Sequence, residues 1–570
     1  MYQAGRNFRV FLIASALAAS VPAQLKSPLN APAEPFSIKR GSTFTASGGS
    51  ATIPPNAEPE TKTSRIAAEI RDAEDIIARN YIDGRKISRA EMTESALTGA
   101  LHTLDPHSNF HGVADWKDLL DEQKSGYTGI GATIANFERS GVLDTFILAT
   151  FPGSPASRAQ LRYGDKIVAI NGEKMTGKAS DDVRDKIRGA NGTVLRMSIE
   201  RAATNQIETV ELRRGRVPQP SIPDAYILRP GVGYIELSEG FNYTTSDEFD
   251  VAMRELKRQG MRSLVLDLRN NGGGIVDQAV KVAEKFLPAG TLILSQKGRS
   301  RIDNRVWRSA NTNPETMPLV VLVNEDTASA SEIVAGAFQD NDRAMIVGDK
   351  TFGKGLVQSV LDLPGSTGLT LTTARYLTPS GRSIQRDYTR MDLYDYFNHT
   401  ENAAALVGSS IAMRTVTDRT VFGGDGITPD EKVKADEITA LRAALVDPIF
   451  FFAREVLSGR IAGLESYTAT SFTTGNRVTP RDLPSTEALK SAFLSFVKKQ
   501  GTWRFSDKQL TAEAAFIKLR LRYNIIMASY GVNAAQQVVT EDDPQVAKAV
   551  ETLPRAGQLA QLAAKRRLNK

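Results

Sequence analysis

At 570 residues the chain has room for roughly three or four domains, and a 41% share of hydrophobic residues is enough to fill their cores. A formal net charge of +6, left over from 71 basic and 65 acidic residues, is a small excess rather than the basic face of a nucleic-acid-binding protein. With no cysteine there is neither a disulfide framework nor thiol chemistry, so packing alone must hold the fold.

The opening "MYQAGRNFRVFLIASALAASVPAQ" places Arg6 and Arg9 before a short apolar run, then small residues at Val21 and Ala23. That build predicts a secretory signal peptide over residues 1–23 and an exported protein, periplasmic or associated with the cell envelope. The run is too short to span a bilayer comfortably, and no later segment qualifies. Residues 24–62, rich in Pro, Ser, Thr, Ala and Gly without periodicity, predict a flexible spacer. Over 63–122 the pattern turns helical: "SRIAAEIRDAEDIIARNYI" repeats apolar residues every three or four positions, and a second helix, "RAEMTESALTGALHTL", stops at Asp105-Pro106.

Residues 126–216 break into short strands ("GIGATIANF", "VLDTFILATF", "DKIVAINGE", "VLRMSIER", "QIETVELRR") with one short helix, "ASDDVRDKIRG", the signature of a small β module. Over 217–436 buried strands alternate with helices, among them "SLVLDLR" before "NNGGG" and "PLVVLVN" before "TASAS". This alternation predicts an α/β layered core with largely parallel strands. Residues 437–570, including "EITALRAALVDPIFFFAREVLSGRIAGL", read as a helical region ending in a solvated basic turn, "AAKRRLNK". No internal repeat is visible.

Taken one at a time, the chemical signals are ambiguous. Ser329 falls where a strand gives way to a helix, a place suited to presenting a reactive side chain near the helix's positive end. Ser329 and Glu332 also have the S-x-x-E spacing of a capping box, in which the serine does no more than cap. Gly348 to Lys354 fits G-x-x-x-x-G-K, but Gly355 stands where a phosphate-binding loop needs Ser or Thr, and "LVQSVLDL" continues as a strand rather than a helix. His107 and His111 stand four apart in "HSNFH" with no glutamate between them and no third ligand in view, so no metal is expected. Gly272, Gly273 and Gly274 make a tight strand-to-helix turn whose bare backbone could aim N–H groups at a developing oxyanion.

Together these stretches resemble one family. "TASASEIVAGAFQD", "GDKTFGKGLVQ", "LVLDLRNNGGG" and "LTTARYLTPSGRSIQ" are similar to blocks of the C-terminal processing peptidases, or tail-specific proteases. So are "TLDPHSNF", "GYTGIGATI", "GSPASRAQLRYGDKIVAINGE" and "GGDGITPD", in the family's order over about residues 63–430. The resemblance implies a ClpP/crotonase-like α/β protease core with an inserted PDZ-like β module and helical N- and C-terminal regions. It implies a serine endopeptidase working through a Ser–Lys dyad: Ser329 the nucleophile, Lys354 the general base, and Gln358 the residue that orients the lysine. Ser331 matches a non-catalytic position. The oxyanion donors match the backbone N–H groups of Gly273 and Ala330, with Gly272 a departure from the family's proline. The PDZ-like module implies capture of a substrate's C-terminal carboxylate by Gly129, Ile130 and Gly131, the tail adding as a strand beside "ATIANF". No cofactor is implied, and the partners are protein or peptide substrates. The helical ends point to a homodimer, and an adaptor protein of unknown kind is left open. The rivals are a catalytically silent PDZ-bearing envelope scaffold and a crotonase-type acyl-CoA enzyme.

The dyad makes a physical demand. A lysine with its ordinary pKa of about 10.4 is protonated at neutral pH and accepts no proton, so its surroundings must disfavour the ammonium. "TFGKG" has no carboxylate until Asp362, and a neutral Gln358 can hold an amine without favouring its charged form.

Overall fold

The computed structural model describes residues 60–389, 392–398, 411–469 and 487–569; the expected signal peptide and nearly all of the expected spacer lie outside the described residues. Residues 117–357 and 373–569 form one compact unit, and residues 60–116 with 358–372 form another.

The smaller unit carries the helices Glu60–Asn80 and Arg89–His102, the second capped by Ser88, whose hydroxyl accepts the Glu91 N–H at 3.3 Å. The helical pattern stops at Asp105-Pro106 because the buried Asp105 carboxylate gathers the N–H groups of His107 (2.8 Å) and Ser108 (2.9 Å) and the Ser108 hydroxyl (2.7 Å). A strand then forms, Asn109–His111, paired antiparallel with residues 368–370. Three residues carry no alternation, so the periodicity of the sequence does not reveal it. Trp116 packs over Gly368, where a Cβ would meet the indole at 2.3 Å, and its Nε1 donates to Asp362 at 3.2 Å. Ile70, Ile76, Ile77 and Tyr81 are exposed.

In the larger unit the β module comes first. Its sheet runs in the order β1 (Ala132–Arg139), β2 (Val142–Thr150), β3 (Lys166–Ile170), β4 (Val194–Glu200), β5 (Ile207–Arg213), so β1 is an edge strand. Helix α1 (Ser180–Ile187) buries Val183 and Ile187 in the module's own core with Ile147, Ile167, Met197 and Leu212.

The second sheet is built from β6 (Asp224–Arg229), β7 (Val232–Glu236), β8 (Ser263–Asp267), β9 (Leu319–Val323), β10 (Met345–Gly348) and β11 (Glu431–Lys432), side by side in that order. Only the β6–β7 pair is antiparallel. The helices α2 (Thr245–Arg258), α3 (Val276–Glu284) and α4 (Ala330–Asp340) pack with Leu264, Leu266, Leu319, Val321, Val323 and Ile346 of the sheet in one hydrophobic cluster. Successive parallel strands added in one direction with right-handed crossovers put every connecting helix on the same face. The alternate residues Val265, Val320, Leu322, Met345 and Val347 belong to the opposite face. Their covering comes from far along the chain, after helix α5 (Ala440–Leu457): Val546, Ala549, Leu553 and Ala556 of helix α6 (Pro544–Leu568). Burial on both faces is why β8 and β9 are apolar without alternation.

Helix α5 is shorter than the periodic stretch that suggested it, which continues to Leu464; Gly459, at φ +71°, turns the chain after Leu457. Its aromatic run joins the β module in one core: Phe450 stacks on Phe137 of β1 with ring centroids 3.6 Å apart and meets Phe146 of β2 edge-on at 4.9 Å. Tyr163 adds a buried hydrogen bond to Asn524 at 2.8 Å, and Arg454 donates to the Gly164 carbonyl at 2.8 Å.

Candidate active site

Three loops converge at the carboxyl ends of β8, β9 and β10. The loop after β8 carries the glycine run, the loop after β9 ends in Ser329 at the start of α4, and the loop after β10 carries Lys354. They are knitted by short bonds. Asn270 N–H donates to Asn324 Oδ1 (2.8 Å) and Asn324 Nδ2 to Asn270 Oδ1 (2.7 Å), while Ala328 N–H donates to the Asn271 carbonyl (2.9 Å) and Phe352 N–H to that of Thr327 (3.0 Å).

Ser329 holds φ +55° and ψ −115°. Helix caps are ordinarily extended, and a non-glycine residue in this region of backbone space carries a cost of about 1–3 kcal/mol that tight surroundings must impose. The capping-box pair is present, with Glu332 accepting the Ser329 N–H at 2.9 Å, but the backbone is that of a residue forced to a sharp turn with its side chain presented. Ser329 is half-buried. Ser331 contrasts with it: fully buried, its hydroxyl donates to the Asn271 carbonyl at 3.0 Å.

Glu332 is the residue that local sequence reasoning undervalued. Fully buried, it accepts from the N–H groups of Ser329 (2.9 Å), Gly353 (2.8 Å) and Lys354 (2.9 Å) and from the Thr351 hydroxyl. Burial pushes its carboxyl above the ordinary value, and these four donors oppose that rise. Tyr376 makes a matching clamp: its hydroxyl lies 3.0 Å from the carbonyl oxygen of Ser329 and 3.0 Å from that of Lys354. Burial raises its hydroxyl well above the usual pKa, so it remains a donor. Ser329 and Lys354 are therefore held together main chain to main chain by one carboxylate and one phenol. The S-x-x-E spacing was the visible signal for Glu332; its reach to the Lys354 loop was not legible. The expected surroundings of Lys354 change accordingly, since its loop has a carboxylate against its backbone and the residue is half-buried.

Gly273 has φ +106°, and a Cβ there would lie 2.7 Å from Ser329 Cβ and 2.9 Å from both the Ala328 oxygen and the Ala330 nitrogen. Only glycine fits, and the fit sets Gly273 against Ala330, the first residue of α4. The Gly273 N–H donates to Asn271 Oδ1 at 2.9 Å, so an oxyanion bound there would have to displace that side chain. Behind the loop, Arg269 forks onto Asp267 and reaches Asp543 at 2.6 Å and Gln545 at 2.8 Å, the first residues of α6 and its cap. Beside Asp267, burial raises the Glu236 carboxyl to about 8.

Gln358 belongs to the smaller unit, where its Nε2 donates to Thr372 Oγ1 at 3.1 Å. His102 pairs with Asn109 (2.9 Å) and His111 with Thr370 (3.1 Å), and burial lowers the His111 pKa. His399 lies outside the described residues. Among the described residues no group of three or more His, Asp or Glu is placed to hold a metal ion.

In the β module, Gly129 ends the strand Gly126–Gly129, Ile130 is buried, and Gly131 turns at φ +70° where a Cβ would overlap Ser154. The Ile130 carbonyl accepts from Ala156 N–H (2.8 Å) and the Gly131 carbonyl from Phe151 N–H and the Ser154 hydroxyl (both 3.0 Å). The loop is thus fixed from behind and leads directly into the edge strand β1.

Residues 231–394 match the model of peptidase family S41, and residues 148–201 match a PDZ domain. The chain is 31% identical over 339 residues to the carboxy-terminal processing protease CtpB of Bacillus subtilis (strain 168), covering 59% of this chain and 69% of that one. It is 34% identical over 324 residues to the chloroplastic C-terminal processing peptidase of Tetradesmus obliquus, covering 54% and 69%. A solved structure of the photosystem II D1 C-terminal processing protease aligns at 30% identity and a TM-score of 0.33, over 61% of this chain and 83% of that one. Among the described residues no helix is long and apolar enough to cross a membrane.

Proposed function

Since the chain belongs to peptidase family S41, the C-terminal processing proteases, and is a serine-type peptidase, we propose that it cleaves proteins selected by their C-terminal tails through a dyad of Ser329 and Lys354. The observation that carries this is the double clamp: Glu332 and Tyr376 each bind the main chains of both residues, while Ser329 is forced to positive φ at a helix N-terminus.

In this mechanism the neutral Lys354 amine takes the Ser329 hydroxyl proton as the oxygen attacks the scissile carbonyl. The oxyanion is met by the Ala330 N–H and by the Gly273 N–H once Asn271 yields it. Lys354 returns the proton to the leaving amine, the peptide bond breaks and an acyl-serine remains. Water then attacks this ester, giving a proton to Lys354; the acyl–oxygen bond breaks, Lys354 returns the proton to the Ser329 oxygen, and the new carboxyl terminus leaves. Gln358, four residues along the chain, orients the amine. The loop at Gly129, Ile130 and Gly131 holds the substrate's carboxylate while its tail lies along β1.

Export fits the apolar run behind Arg6 and Arg9. A homodimer of this chain fits the exposed Ile70, Ile76, Ile77 and Tyr81 of the helical pair, and sedimentation of the intact chain tests it.

Lys354→Arg decides the dyad. Guanidinium keeps charge and length but cannot be deprotonated in a protein. If lysine is the base, Lys354→Arg should lose at least about 10²-fold in rate and match Lys354→Ala and Ser329→Ala. An active Lys354→Arg chain would refute the mechanism. A silent scaffold would bind free-acid peptides and cleave none, wild type included.

A further inference from the structure

The far end of the tail-binding strand is already occupied. Along β1 the backbone alternates: Glu138 lies opposite Leu143, whose carbonyl turns away to Gly177 N–H at 2.7 Å. Ile134 lies opposite Ile147, whose N–H and carbonyl go to Asp165 and Gly164 at 2.8 Å each. Residues 134, 136 and 138 therefore direct their backbone groups to the open edge. At Glu138 that outward N–H is taken by Asp447 of α5, whose Oδ1 accepts it at 3.2 Å. Arg139, next along, donates to Gln500 at 2.5 Å and lies over the Phe451 ring at 5.4 Å. Beneath the strand Phe137 is stacked on Phe450, which fixes α5 in place.

We infer that Asp447 is an end-stop for the substrate tail, limiting the stretch read as a strand to about the last five residues. This rests on the carboxylate being held at Gly129–Gly131. A tail running antiparallel from that loop pairs with Ile134 and Asn136, about five residues or ~17 Å from Gly131 at ~3.4 Å per residue, and then meets Asp447 where its next partner would be. Beyond that point the substrate must leave the strand. The C-terminal helical region thereby acts as a specificity element, setting how much tail is measured.

The test uses the full chain carrying Ser329→Ala, so that nothing is cleaved, and fluorescent free-acid peptides of four to ten residues with one common C-terminus. Polarisation should show affinity rising roughly tenfold per two added residues up to about five, then levelling. Asp447→Ala frees the Glu138 N–H and should give about tenfold tighter binding only to peptides of seven or more residues. Asp447→Asn keeps an acceptor and should behave as the parent. Affinity that keeps climbing to ten residues in the parent overturns the end-stop while leaving tail recognition intact, provided amidation still weakens binding. Asp447→Ala with a parental length profile overturns it too, its fold checked by thermal melting. Free-acid and amidated peptides that bind alike, or fail to bind, overturn tail recognition itself and the end-stop with it.

Discussion

Replacing Glu332 by glutamine removes one atom's worth of charge and should disable the site without unfolding the chain. The two carboxylate oxygens divide the work: Oε2 accepts from Ser329 and Lys354, and Oε1 from Gly353 and the Thr351 hydroxyl. A carboxylate is acceptor-only, whereas a glutamine puts an NH₂ donor in place of one oxygen: turned one way it faces the N–H groups of Ser329 and Lys354, turned the other it faces that of Gly353, while the Thr351 hydroxyl can rotate to accept. At about 1.5–3 kcal/mol for each hydrogen bond to a charged group, the local loss is about 1.5–6 kcal/mol, one or two bonds according to the turn, offset in part because a neutral amide costs less to bury. Either way an N–H of the loop bearing Lys354, that of Gly353 or of Lys354 itself, is left facing a donor, and misplacement of reacting groups by an ångström costs about 10²-fold. Steady-state cleavage of a free-acid peptide should show kcat down by that factor with KM little changed, and calorimetry should show the same transitions as the wild type. A folded Glu332→Gln chain with kcat within about threefold of wild type would refute the argument that one carboxylate sets both residues.

Gly273→Ala should abolish cleavage by at least about 10²-fold, because the added Cβ falls 2.7 Å from Ser329 Cβ; peptide hydrolysis measured beside thermal melting checks it. Phe450→Ala opens a cavity beneath β1 where the ring met those of Phe137, Phe146, Tyr163 and Phe451 and should cost about 3–5 kcal/mol in denaturant unfolding. Glu236 predicts a pH dependence. Its folded pKa near 8 lies above the ordinary 4.5, so the folded chain keeps a proton that the unfolded chain releases. The associated stability is full below about pH 4.5 and is lost as pH rises toward about 8, by an amount on the order of 4 kcal/mol. Melting temperatures followed from about pH 5 to 8 should fall less steeply for Glu236→Gln than for wild type, and parallel curves would remove Glu236 as the source.

What the sequence made legible was whatever repeats or is punctuated locally. The apolar runs of β8 and β9 announced strands buried on both faces, and the short alternating strands of the β module could be counted before their pairing was known. Ser329 stood out by its place at a strand-to-helix junction. Legibility failed where partners are far apart in sequence. Nothing near Lys354 signals that Glu332 accepts its N–H, nor does anything near Arg269 signal the Asp543 that holds it from 274 residues away. The periodicity of 440–457 predicts a buried face, but not that its phenylalanines would meet Phe137 and Phe146. Asn109–His111 is too short to announce itself.

The helix α6 has a consequence for the order in which the molecule comes into being. Its residues cover Val265, Val320, Leu322 and Val347, yet they are made some two hundred residues after Val347. During synthesis the sheet can form and dress one side with α2, α3 and α4 while its other side stays bare for some two hundred residues of further elongation. A nascent chain in that condition presents a sticky, strand-rich surface and is prone to association. Arg269 is also without Asp543 and Gln545 until then, leaving the glycine loop beside Ser329 unbraced. Full hydrolytic competence should therefore arrive only when α6 docks, so that chains made short of it are spared from cutting their neighbours.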